Sequence, residues 1–152
     1  MKTNFFKRFL MITILASHNI HIQANVVLND KIKAYFQALE SGVCDQTLAL
    51  FTADAIVNSP LFGEMVASEF YKKLFANTNR SKVTLKEVFF SNTNATNATA
   101  HFVCDWVLKD GTPAPFECVD IFEFDPVSNK IQSLKIIYDT HSIRSLVTTT
   151  ES

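Results

Sequence analysis

The sequence predicts an α+β fold, a curved sheet with helices packed on one face. Three observations predict it. Apolar residues in the first half recur at helical spacing. From Lys82 onward the spacing changes to two, and polar turn clusters then divide the chain into four strands in succession. With 152 residues, 47% hydrophobic, and only three glycines and four prolines, the chain can build one core of its own.

Residues 1–24 differ from the rest. Lys2, Lys7 and Arg8 form a basic start, Phe9 to Ala16 an apolar run, and Ile22-Gln23-Ala24 a close with a small residue at its end. That is the order of a secretory signal peptide, which implies export to a periplasm or the exterior. An extra N-terminal helix on a cytoplasmic protein is the alternative. The apolar run is too short for a stable membrane span.

A helix is expected from Lys31, capped by Asn29 or Asp30, with Ile32, Tyr35, Phe36 and Leu39 on one face and Gly42 as its stop. Asp45 is placed to cap a second, short helix through Thr47, Leu48 and Phe51. Ala55-Ile56-Val57 reads as a short strand ended by Asn58-Ser59-Pro60, and Leu61-Phe62-Gly63 as a turn. Residues 64–76 read as a third helix with Val66, Phe70 and Leu74 on one stripe.

The four strands are expected at residues 83–90, 100–109, 116–124 and 130–138, with turns at Asp110-Gly111 and at 125–129. The loop at 91–99 is polar. Asn79-Arg80-Ser81, Asn94-Ala95-Thr96 and Asn97-Ala98-Thr99 match the short N-glycosylation pattern. Phe102, Cys104, Trp106 and Leu108 share one face of their strand; Gln132, Leu134, Ile136 and Tyr138 share one face of the last.

The strand at 116–124 holds the most informative residue. Phe116, Cys118, Asp120, Phe122 and Phe124 share a face that is apolar except for Asp120. An unpartnered carboxylate in such a place costs several kcal/mol (roughly) or takes up a proton. Asp120 is therefore either a structural aspartate held by a neighbour or a functional carboxyl group in an apolar pocket. Matching the apolar faces of the second and third strands places Cys104 opposite Cys118. The two thiols are then neighbours, packed side by side or, in an exported protein, joined.

Net charge is −1 with both signs interspersed, and no basic patch carries interleaved aromatics, so nucleic acid is not an expected partner. Cys44, Cys104 and Cys118 show no metal-ligand spacing, nor do His18, His21, His101 and His141, so no metal is expected, and no motif implies a cofactor.

The order of helices, Ala55-Ile56-Val57-Asn58-Ser59-Pro60, a further helix, and a meander holding Cys118-Val119-Asp120-Ile121-Phe122-Glu123-Phe124-Asp125 and Lys130-Ile131-Gln132 resembles the nuclear transport factor 2-like superfamily. Within it, the chain is most similar to the SnoaL-like and ketosteroid-isomerase-like group. The resemblance covers residues 26–144, leaving 145–152 as a tail. It implies a cone in which a curved, mainly antiparallel sheet and three N-terminal helices enclose an apolar pocket. It also implies a homodimer formed through the outer face of the sheet.

In ketosteroid isomerases a tyrosine and a protonated aspartic acid form an oxyanion hole, and a carboxylate just before a proline is the base. Tyr35 matches the tyrosine, Asp120 the acid and Ser59 the base; Tyr138 matches a pocket aromatic. A serine is no base without another beside it, so steroid isomerase activity is not expected. Resemblance to SnoaL-like cyclases implies instead that Asp120 serves as acid and base on a small hydrophobic molecule, with Tyr35 polarising an oxygen. Ser59, Phe62, Phe102, Cys104, Trp106, Phe116, Cys118, Phe122, Leu134 and Tyr138 are the expected pocket lining. Two other readings stand beside this one: a non-catalytic exported binding protein for a hydrophobic ligand, and an interaction module using the sheet's outer face.

Overall fold

The computed structural model describes residues 23–148, and the leader expected at 1–24 lies outside them apart from Gln23 and Ala24. The first helix, α1, covers residues 23–41 and runs through Asn29 and Asp30, so neither residue caps it. Its apolar face begins a turn earlier than expected, at Leu28, and continues through Ile32, Tyr35 and Phe36, all buried. Gly42 ends it at φ 68, the left-handed conformation that costs glycine nothing.

A short helix, α2 (Cys44–Leu48), follows. Val43 occupies its cap position without a side-chain bond, and Asp45 sits inside the first turn rather than capping it. Phe51 belongs to no helix. It opens β1 (Phe51–Ser59), which is longer than the three-residue strand expected. Phe51, Ala55, Val57 and Ser59 turn inward while Ala53, on the same side, stays exposed beside a register shift between Phe51 and Ile56, so the strand's first half shows no apolar alternation.

The turn at residues 60–62 leads into β2 (Gly63–Val66), which pairs antiparallel with β1 from Ser59↔Gly63 to Ile56↔Val66. Residues 64–66 are expected to begin the third helix, and Gly63 to close the turn before it. The hairpin holds their backbone extended, and α3 (Ala67–Ala76) starts only after Val66 at ψ 140.

Then come β3 (Thr78–Phe90), β4 (Asn97–Leu108), β5 (Phe116–Phe124) and β6 (Ile131–Tyr138). β3 starts earlier than expected because its ladder with β4 continues to Thr78↔Leu108, beyond the alternating residues. The six strands form one sheet in the order β2-β1-β6-β5-β4-β3. Every neighbouring pair is antiparallel except β1 with β6.

α1 and α3 pack on the inner face through aromatic contacts: Tyr35 against Phe122 at 5.3 Å between centroids, Phe36 against Phe102 at 4.6 Å, and Tyr71 against Phe51 at 5.1 Å. Each ring so buried stabilises the fold by roughly 1.5–3 kcal/mol relative to exposure.

The expected register of β4 on β5 has the right faces but is displaced by two residues. Cys104 pairs with Phe116 and Phe102 with Cys118, so the thiols are diagonal neighbours, and all three cysteines are free. On β6 the register shift beside Phe124 turns Ile131, and not Gln132, into the core. Among the described residues the expected three helices become four. The tail expected from residue 145 instead begins within α4 (Arg144–Thr148), and Val147 lies in the core beside Ile143. The Arg144 guanidinium Nη2 donates to the Pro60 carbonyl at 3.1 Å.

Candidate functional site

Asp120 sits mid-strand on β5, with Ala100 of β4 on one side and Ile136 of β6 on the other, and only 1% of it is exposed. Its partners come from the chain's two halves. The Tyr35 hydroxyl on α1 donates to Oδ2 at 3.4 Å, and the Cys118 thiol two residues away on the same face donates to Oδ1 at 3.5 Å. Tyr71 on α3 donates in turn to the Tyr35 hydroxyl at 3.1 Å. The result is a fully buried relay, Tyr71 to Tyr35 to Asp120.

Burial pushes the Asp120 carboxyl up to about 7, against the two hydrogen bonds, which pull it down. Burial likewise holds Tyr35 and Tyr71 well above the ordinary phenol range. Cys104 is pushed up to about 12, and Cys118 rises further, by burial and then by the neighbouring Asp120. Near neutral pH the carboxyl is therefore the group that changes protonation while its neighbours stay neutral.

A cavity of about 70 Å³ opens beside this group. It is bordered by Tyr35, Asp120, Ser59, Phe62, Phe102, Cys104, Trp106, Phe116, Cys118 and Tyr138. Phe122 and Leu134, expected among the lining, do not border it. They pair across β5 and β6 with no exposed surface, close-packed in the core. Sequence reasoning missed Tyr71, although Ala67, Phe70, Tyr71 and Leu74 fall at helical spacing. It also missed the contribution of Thr78, whose hydroxyl accepts the Trp106 indole N–H at 2.9 Å and fixes that ring.

The Ser59 hydroxyl accepts the Leu61 and Phe62 amides at 3.2 and 3.4 Å, so it shapes the turn after β1. No carboxylate stands beside it; Asn58 points outward to Glu64 at 3.2 Å. His101 pairs with Glu117 at 2.6 Å on the sheet's outer face, and Asp105, Asp139 and His141 are exposed. Among the described residues no cluster of three His, Cys, Asp or Glu could hold a metal ion, and no helix is long and apolar enough to cross a membrane.

This helix-faced mixed sheet has the fold of the nuclear transport factor 2-like class. Within that class the chain belongs to the SnoaL-like domain family, which it matches over residues 32–133. Solved structures share the fold at low identity. BvnE pinacolase from Penicillium brevicompactum is 11% identical with a TM-score of 0.70, over 84% of this chain and 93% of that one. A protein of ketosteroid isomerase-like fold from Catenulispora acidiphila, in complex with trimethylamine, is 18% identical with a TM-score of 0.64, over 74% and 88%. SalBIII, an epoxide hydrolase/cyclase-like enzyme of pyran ring formation in salinomycin, is 15% identical with a TM-score of 0.64, over 76% and 92%. Comparison with curated proteins returns no match.

Proposed function

We propose that the chain is a small-molecule pocket protein of the SnoaL-like family in which Asp120 moves a proton to and from an apolar substrate. One observation carries this reading. Among the described residues Asp120 is the sole carboxyl group bordering the cavity, and it changes protonation near neutral pH, where a general acid or base works best. Tyr35 is within reach of the same oxygen and would polarise a substrate oxygen placed between them. The chemistry is of isomerase or cyclase type and invokes no cofactor.

The test is exchange of the α-hydrogens of a small ketone, 2-butanone, in deuterated buffer, followed by NMR. The protein accelerates exchange, and Asp120→Asn reduces it to the rate in buffer alone. Equal rates for both proteins would remove Asp120 from the chemistry.

A second reading is favoured by Ser59. Its hydroxyl accepts the two turn amides, so Ser59 supplies no base opposite Asp120. In that case the pocket binds a hydrophobic ligand without turning it over, and the same NMR spectra show line broadening of the ketone without exchange.

The leader at 1–24 supports export, and the folded domain that follows it extends through α4, whose Val147 lies in the core. Homodimerisation through the outer sheet face is supported by Ile121 and Ile137, which are 36% and 46% exposed on neighbouring strands. Intact mass of the exported form and light scattering in solution test these two points.

A further inference from the structure

The cavity beside Asp120 has a composition that the proton-transfer reading does not require. Among the described residues that border it, eight are aromatic, one is a carboxylic acid, and none is Lys, Arg or His. Trp106, Phe116 and Tyr138 form a continuous aromatic wall. The Phe116 and Tyr138 rings stack at 4.6 Å, and Trp106 meets Phe116 edge-on at 6.2 Å. Phe62, on the other side, already receives the Lys73 ammonium 4.9 Å from its centroid.

Aromatic faces are the negative poles of their rings and attract cations, most strongly cations with a weak hydration shell. A single buried carboxylate with no cationic side chain at the cavity leaves one negative charge to be compensated when it ionises. Size narrows the occupant further. A cavity of about 70 Å³ is under half of the roughly 150 Å³ that holds benzene. It fits a compact group of about four to five heavy atoms.

We propose that this cavity binds a small methylated ammonium cation, such as trimethylammonium, through its aromatic wall and the Asp120 carboxylate. The inference rests on the pocket reading above and names the ligand class of the same site. It inverts the sign expected of an oxyanion hole, because the acid here pairs with positive charge instead of donating to a negative oxygen.

Binding and ionisation are then linked. As the cation enters, the proton leaves Asp120 for the buffer, and the carboxylate and ammonium compensate each other in the interior. The titratable groups around Asp120 are Tyr35 on α1, Tyr71 on α3, Cys104 on β4, Cys118 on its own strand and Tyr138 on β6. Burial raises the pKa of all five, so none competes for the cation or supplies the charge. Affinity consequently falls about tenfold for each pH unit below the point where Asp120 takes its proton.

The experiment titrates the full chain with tetramethylammonium chloride, whose charge does not change with pH, and with tert-butanol, a neutral molecule of similar shape. Calorimetry gives the affinities, and fluorescence of Trp106, the chain's one tryptophan, reports the cavity. The expected result is cation binding that strengthens from about pH 5.5 to about pH 8. Tert-butanol should bind more weakly and show no pH dependence. Asp120→Asn should lose cation binding by more than about tenfold, yet still bind tert-butanol.

The pH series on the unaltered protein stands even if that variant does not fold. Equal or tighter binding of tert-butanol, or cation binding indifferent to pH, overturns the inference while leaving an apolar pocket in place. Binding of neither molecule overturns the inference and counts against the pocket reading itself.

Discussion

Replacing Asp120 by Asn should remove most of the protein's loss of stability between mildly acidic and mildly alkaline pH. Asn keeps the shape of the protonated acid but cannot ionise. In the wild type the native carboxyl titrates at about 7, whereas an unfolded aspartate titrates at about 3.9. The native state therefore binds the proton more tightly than the unfolded state. The resulting stabilisation is fully present below the unfolded pKa and is lost as pH rises through about 7. Between about pH 5 and about pH 8 the loss integrates to roughly 2–3 kcal/mol.

Urea unfolding of both proteins at the two pH values measures this. The stability difference between wild type and variant should change by that amount, in favour of the variant at the higher pH. Contributions from other carboxylates, such as Asp110 and Asp125, whose pKa values their turns lower, cancel in the difference. Parallel pH profiles would refute the reasoning, since they would mean that the buried carboxyl is solvated or paired well enough to keep an ordinary pKa.

Three further outcomes follow from the packing. Tyr71→Phe removes the donor to the Tyr35 hydroxyl and should cost about 1 kcal/mol in urea unfolding, with the helical circular dichroism unchanged. Phe122→Ala empties a fully buried site between Tyr35 and Phe124 and should cost about 3–5 kcal/mol, read as a lowered denaturation midpoint. In thiol labelling under native conditions, half-buried Cys44 should react first. Buried Cys104 and Cys118 should react only as fast as the protein opens, and rapid labelling of either would contradict their burial.

The inner and outer faces of the sheet were legible in the sequence because side-chain direction on a strand is local. Phe102, Cys104 and Trp106 on one strand, and Cys118, Asp120 and Phe122 on another, announce a shared apolar face with one acid in it. The helix face of Ile32, Tyr35 and Phe36 was legible for the same reason, and residues 116–124 form the strand that their alternation predicts. Local chemistry also made the turns at Gly42 and at 125–129 visible.

What the tertiary structure decided are the relations between distant segments. The pairing of β1 with β6 extends the strand back to Phe51 across a register shift, and the β1–β2 hairpin claims Gly63–Val66 before α3 can begin. The first depends on backbone hydrogen bonds to partners far along the chain and the second on a tight hairpin, and side-chain periodicity encodes neither. The displacement of β4 on β5 by two residues preserves every face, so the hydrophobic pattern is blind to it. The same holds for the relay of Tyr71, Tyr35 and Asp120. Each residue is recognisable alone, but only the packing of α1 and α3 onto the sheet brings the three hydroxyl and carboxyl groups within hydrogen-bond reach and out of water. Removal from water sets the carboxyl's proton affinity, and it is a property of the assembled core.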